Sequence, residues 1–170
     1  MKTLIILTGM MGCGKTSTGK LLARILKFNF VDVDTEIEKS EKKTITQIFN
    51  DSGEQYFRFL EKEKIEEFSK LKNTVLALGG GAFEDENTRK LLKKNGIVIY
   101  LKTTPDAIFK RIHSEIHRPL LRKNFSVETI AFIMKKRVKN YEQAHHIIDT
   151  TNKKKKDVVR KILGVLKWLP

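Results

Sequence analysis

Eight residues near the start of the chain, Gly9-Met10-Met11-Gly12-Cys13-Gly14-Lys15-Thr16, match G-x-x-x-x-G-K-[ST], a phosphate-binding loop with one further glycine at Gly14. The residue types suit an anion. Glycines reach backbone angles closed to other residues, so successive N–H groups can turn inward around phosphate oxygens. Lys15 adds a point charge for the β- and γ-phosphates, and the Thr16 hydroxyl is a ligand for Mg2+. A helix starting at this loop turns its positive end toward the same anion. The spacing predicts a site for a nucleotide phosphate chain.

Two further groups could do chemistry beside it. Asp32 and Asp34 close an apolar stretch, and strand alternation places them on one side. Like charges so close need compensation, from a metal ion or a substrate hydroxyl. One aspartate would support Mg2+ while the other orients an acceptor hydroxyl. The run Val75-Leu76-Ala77-Leu78 ends in Gly79-Gly80-Gly81, where many phosphate-loop enzymes place a metal-binding aspartate, so metal support falls to Thr16 and Asp32. Arg58, Arg118 and Arg137 carry guanidinium forks that grip carboxylate or phosphate in bidentate fashion. Asn152-Lys153 is followed by Lys155 where guanine recognition wants aspartate, which disfavours a GTPase switch. Cys13 reads as a tolerated loop residue. His145 and His146 would point to opposite strand faces and make no metal site.

The elements that position these residues alternate. Leu4-Ile5-Ile6-Leu7 reads as a buried strand, and Leu21, Leu22, Ile25 and Leu26 recur at helical spacing after the loop. Phe28 to Asp34 is a second strand. Thr44-Ile45-Thr46-Gln47 and Ser52-Gly53-Glu54-Gln55 are capping boxes, the second opening a longer helix. Val75–Leu78 is a third strand; the helix carrying Leu91 and Leu92 ends at Asn95-Gly96 as a left-handed cap. Ile97–Leu101 is a fourth strand, and Thr104-Pro105-Asp106 starts a helix. From His113 to Phe125 the pattern lapses around Pro119, as in a flap over a ligand or an ordinary surface loop. Ser126 caps a helix running to about Ala144. His146–Asp149 is a fifth strand, and Val158, Ile162, Val165 and Leu166 mark a last helix. Such alternation predicts an α/β fold with a mainly parallel sheet.

Composition sets outer bounds. The 170 residues suit one domain with a proper core, and the single cysteine excludes a disulfide framework. Only four strongly apolar residues follow Met1-Lys2-Thr3, too few for a signal peptide or a span, so a cytoplasmic protein without membrane partners is expected. The net charge of +14 (34 basic against 20 acidic residues) suits anionic partners. No aromatic and basic residues interleave as in base-stacking surfaces, so the lysine excess reads as solvated surface and nucleic acid as the minority alternative.

Taken together, the motifs resemble the shikimate kinase family over nearly the whole chain. The residues that carry the resemblance are Gly9 to Thr16, Asp32-Val33-Asp34, Gly53 to Glu61, Gly79 to Gly81, Arg118-Pro119-Leu120-Leu121, and Arg137 with Tyr141 and Ala144. The resemblance implies phosphorylation of the shikimate 3-hydroxyl by MgATP within aromatic amino-acid biosynthesis. It implies a three-layer α/β/α P-loop kinase fold, with a five-stranded parallel sheet in the order 2-3-1-4-5 and a lid over about 112–125. The acceptor-binding segment would be about 32–61. By the family pattern Asp34 holds the acceptor hydroxyl, Arg58 and Arg137 grip the shikimate carboxylate, and Gly80 and Gly81 bring backbone close to it. Gly12, Cys13, Gly14, Lys15, Thr16 and Ser17 would hold ATP, with Arg118 on its phosphates and Arg111 against adenine. The catalytic group would be Asp34, Lys15 and Arg118, and the metal ligands Thr16 and Asp32. The expected partners are small molecules only, with the chain a monomer. Two alternatives stay open: a kinase of another small hydroxylated acceptor, and an ATP-dependent nucleic-acid-binding protein.

Overall fold

The computed structural model describes residues 3–114 and 126–166, with side chains through Ile112 in the first stretch. Five strands, β1 (Leu4–Thr8), β2 (Asn29–Asp32), β3 (Thr74–Ala77), β4 (Ile97–Lys102) and β5 (His146–Asp149), form a parallel sheet in the order β2-β3-β1-β4-β5. Seven helices surround it among the described residues: α1 (Lys15–Leu26), α2 (Val33–Glu41), α3 (Ile45–Phe68), α4 (Glu86–Asn95), α5 (Pro105–Ser114), α6 (Val127–Tyr141) and α7 (Lys155–Val165).

Strand β1 is central and wholly buried, which is why it reads as an unbroken apolar run. Its alternate side chains enter two different cores. Leu4 and Ile6 join Leu76, Val98 and Tyr100 under α2, α3, α4 and α6. Ile5 and Leu7 join Val75, Ile99 and Leu101 under α1 and α7. These are the three layers expected of the fold. Strands β3 and β4 flank β1 on opposite sides, so its carboxyl end is a topological switch point, where open α/β sheets bind ligands.

Four local expectations differ. Strand β2 stops at Asp32 and α2 takes over at Val33, so Asp34 lies in the first helical turn and the two aspartates are not related by strand alternation. Val33 and Ile37, four apart and fully buried, hold that turn in place. The two capping boxes lie within one helical span: Thr44 forms the first box with Gln47, whereas the second leaves only a break at Gly53 (φ +79°) inside α3. Gly96 has extended rather than left-handed backbone (φ −157°). It is needed for space, since a Cβ there would lie 2.6 Å from the Leu4 carbonyl oxygen. Helix α6 ends at Tyr141, three residues before the expected Ala144. Most of the expected lid, with Arg118, lies outside the described residues.

Candidate active site

The donor side is built where β1 runs into α1. Gly9, Gly12 and Gly14 all have positive φ, and Gly14, at +100°, turns the chain directly into the first residue of α1. That residue is Lys15. Its Nζ donates to the carbonyls of Gly9 (2.7 Å) and Met10 (3.1 Å), which hold the ammonium at the mouth of the loop. The Ser17 hydroxyl bonds the Gly14 carbonyl at 3.3 Å. Cys13 is buried, with Sγ 4.0 Å from the Lys15 ammonium.

Arg111 on α5 reaches the outside of this loop. Its Nη1 donates to the carbonyls of Gly12 (3.4 Å) and Cys13 (3.2 Å), and its Nη2 to Thr150 O at 2.6 Å. Peptide planarity then sets the N–H of Gly14 on the side away from Arg111. The guanidinium thus ties the phosphate loop to the segment after β5, a contact that the spacing of these residues does not announce.

On the acceptor side, Thr16 Oγ1 donates to Asp32 Oδ2 at 2.7 Å, which joins the two expected metal ligands at the start of α1. Asp34 is different. Its Oδ1 is buried with no hydrogen-bond partner, and burial first, then the neighbouring Asp32 charge, pushes its pKa above the ordinary carboxylate value against the pull of Lys15. Glu61, which the sequence reading did not single out, has the same character. It is 3% exposed; Oε2 accepts from Arg58 Nη1 at 2.6 Å, Oε1 has no partner, and burial raises its pKa. Both unpartnered oxygens face one point: a Cβ on Gly79 would sit 2.4 Å from Glu61 Oε1 and 2.8 Å from Asp34 Oδ1. Only glycine leaves that space. Glu61 could have been found from its spacing, since it follows Arg58 by three residues on one helix face.

The arginines close the acceptor side. Arg58 is clasped by Glu61 and, through Nη2, by Glu54 Oε1 at 3.2 Å; a Cβ on Gly81 would lie 2.6 Å from its Nη2. Arg137 Nη1 donates to the Gly80 carbonyl at 3.2 Å, and the Tyr141 hydroxyl donates to the same oxygen. Gly80 also abuts the donor loop: a Cβ there would be 3.4 Å from the Met11 nitrogen. A cavity of about 390 Å3 is lined by Arg58, Glu61, Gly81, Glu84 and Arg137 among others. A larger groove of about 880 Å3 at the Gly53 break shares Arg58 but lacks Glu61, Gly81 and Arg137; neither reaches Asp32, Asp34 or the phosphate loop, and only the smaller one brings the two arginines together on the acceptor side.

A loop shaped for phosphates at Gly80 and a buried, unpartnered carboxylate at the adjoining Gly79 lie side by side, with arginines at Gly80 and Gly81; in this sheet that defines a P-loop phosphotransferase of the small-molecule kinase type. The comparison with protein families is more specific, since the shikimate kinase family model matches residues 11–167. The chain belongs to the shikimate kinase family. It is 46% identical to a shikimate kinase of Persephonella marina over 94% of this chain and 96% of that one. With a shikimate kinase of Geobacter metallireducens it shares 42% identity over 95% and 90%. Among solved structures, the shikimate kinase from Acinetobacter baumannii in complex with shikimate superposes with a TM-score of 0.92 at 36% identity, covering 100% of this chain and 97% of that one.

Proposed function

We propose that the chain transfers the γ-phosphate of ATP to the 3-hydroxyl of shikimate, giving shikimate 3-phosphate and ADP, with Asp34 as the residue that receives the hydroxyl. The observation that carries this reading is the unpartnered, buried Asp34 Oδ1, within the electrostatic reach of Lys15 and Arg58. A buried acceptor without a donor is costly unless a ligand supplies one, and a substrate hydroxyl does. Among the relatives, the Acinetobacter baumannii enzyme holds shikimate.

The residues divide the work by charge. Gly12 to Ser17 wrap the phosphates with backbone N–H groups, and Lys15 offsets charge that develops on the transferring group. Arg58 and Arg137 fork the acceptor's carboxylate, with Gly80 and Gly81 letting it approach the backbone. Arg118, outside the described residues, is assigned by the family pattern to add positive charge at the phosphates. Asp34 aligns the hydroxyl and takes its proton late, as suits a loose transition state that depends on positioning more than on a strong base. The hard oxygens of Thr16 and Asp32, already joined at 2.7 Å, fit Mg2+ and would hold it. Held by these two residues, Mg2+ would supply positive charge to the nucleotide's phosphates.

The experiment that tests this is ADP release from MgATP with and without shikimate. Strong stimulation by shikimate and a product phosphorylated at the 3-hydroxyl are expected. Release stimulated instead by a sugar acid or a nucleoside monophosphate would refute the acceptor assignment. Thr16→Ala removes one of the metal's two protein oxygens. It should raise the Mg2+ concentration for half-maximal rate by about tenfold, as loss of a single such contact does, read from a metal titration at fixed ATP.

A further inference from the structure

Tyr141 carries a buried hydroxyl that the scheme above does not use. Its side chain is 1% exposed at the last position of α6, and its ring stacks on Tyr100 of β4 with centroids 5.0 Å apart. Tyr100 Cδ2 in turn lies 3.4 Å from the position a Cβ on Gly9 would take, so the ring pair is wedged against the donor loop. The hydroxyl donates to the Gly80 carbonyl, and burial drives its pKa well above the ordinary tyrosine value, so it stays a donor at working pH.

Arg137 shares this carbonyl from one helical turn earlier on the same face. A carbonyl oxygen has two lone pairs, and these two donors occupy both. The arrangement is not symmetrical in use. Arg137 is the group an acceptor carboxylate would draw away, whereas the Tyr141 ring is fixed by its stack.

We propose that Tyr141 is a positioning residue for the acceptor: its hydroxyl retains the Gly80 carbonyl when Arg137 turns to the acceptor's carboxylate. This rests on the proposed function in one respect, that Arg137 meets that carboxylate. Without the hydroxyl, the carbonyl and the substrate compete for Arg137, and shikimate binding weakens by the worth of one buried hydrogen bond, about tenfold.

Tyr141→Phe removes the hydroxyl and keeps the stacked ring. Steady-state kinetics should show KM for shikimate raised about tenfold, with KM for MgATP and kcat within about twofold of wild type. In an Arg137→Ala background the same substitution should change the shikimate KM by less than about twofold, since the competition is gone. A parallel rise of both KM values, a fall in kcat alone, unchanged constants, or a full tenfold effect without Arg137 would each overturn the proposal. So would a thermal midpoint so lowered that both substrates bind poorly, which assigns the hydroxyl to the fold alone. Wild-type protein is assayed beside the variants: if it shows no shikimate-dependent ADP release, the proposed function fails first, whereas an active wild type with an unaltered Tyr141→Phe defeats only this inference.

Discussion

Asp34→Asn should lower kcat by about a thousandfold or more and leave ATP binding intact, since general-base and positioning roles combine in the one side chain. The amide keeps the size and can still accept from the substrate hydroxyl, but it cannot take the proton. Nucleotide affinity measured by titration calorimetry should stay within about threefold of wild type, because the phosphate loop is untouched. Near-normal turnover would remove Asp34 from the mechanism. The same variant makes a stability prediction whose sign follows from burial. The folded-state pKa of Asp34 is raised, chiefly by desolvation. Its contribution to stability is therefore fully present below the unfolded value of about 4 and is lost as pH rises through the folded one. Above the folded pKa the wild type buries a charge that the variant lacks, so the inactive variant should gain in thermal midpoint relative to wild type as pH rises from about 4. Thermal scans at pH 4 and pH 7 would show it.

Lys15→Ala should cost about a thousandfold in kcat/KM, on the scale of losing a fixed charge aimed at the transferring group. The loss has two sources. The ammonium held on the Gly9 and Met10 carbonyls is the loop's own cation, and without it the phosphates face Asp32 and Asp34 with less opposition. Lys15 also lowers the Asp34 pKa against burial. Its removal lets that pKa climb further, so the acid limb of the residual activity should move to higher pH than in wild type. An acid limb that stays in place in a pH–rate profile would uncouple the two groups. Lys15→Arg should not restore the rate, because a planar fork does not replace a compact point charge.

Much of this arrangement was readable from the chain before its fold. The phosphate loop is legible because its constraints are local: positive φ at fixed offsets between a buried strand and a helix demands glycines in that order. The five strands and their sheet class follow from short apolar runs such as Leu4–Leu7, which have no polar face because helices cover both sides. Asp34 shows where alternation misleads. Period two continues through Asp32-Val33-Asp34, but the equally visible four-residue spacing of Val33 and Ile37 belongs to the helix that begins there. Glu61 sits among several similar glutamates on one charged helix; its three-residue spacing from Arg58 is the one local signal, and its burial against Gly79 is what sets it apart. The contact of Tyr141 with Gly80 spans 61 residues, and that of Arg111 with Gly12 spans 99, so neither has a local signal.

The two carboxylate oxygens that face Gly79 without partners also bear on what can inhibit the protein. Both acceptors are already buried, so a molecule that merely fills this space leaves them unanswered, whereas one that brings a donor relieves about 1–3 kcal/mol for each oxygen it satisfies. A carbocyclic acid stripped of its hydroxyls, however well it docks on Arg58 and Arg137, is thereby handicapped against the polyol. Selectivity at this site comes from rejecting mimics that bring no donors, so an effective inhibitor must carry hydrogen-bond donors on the face it presents to Asp34 and Glu61.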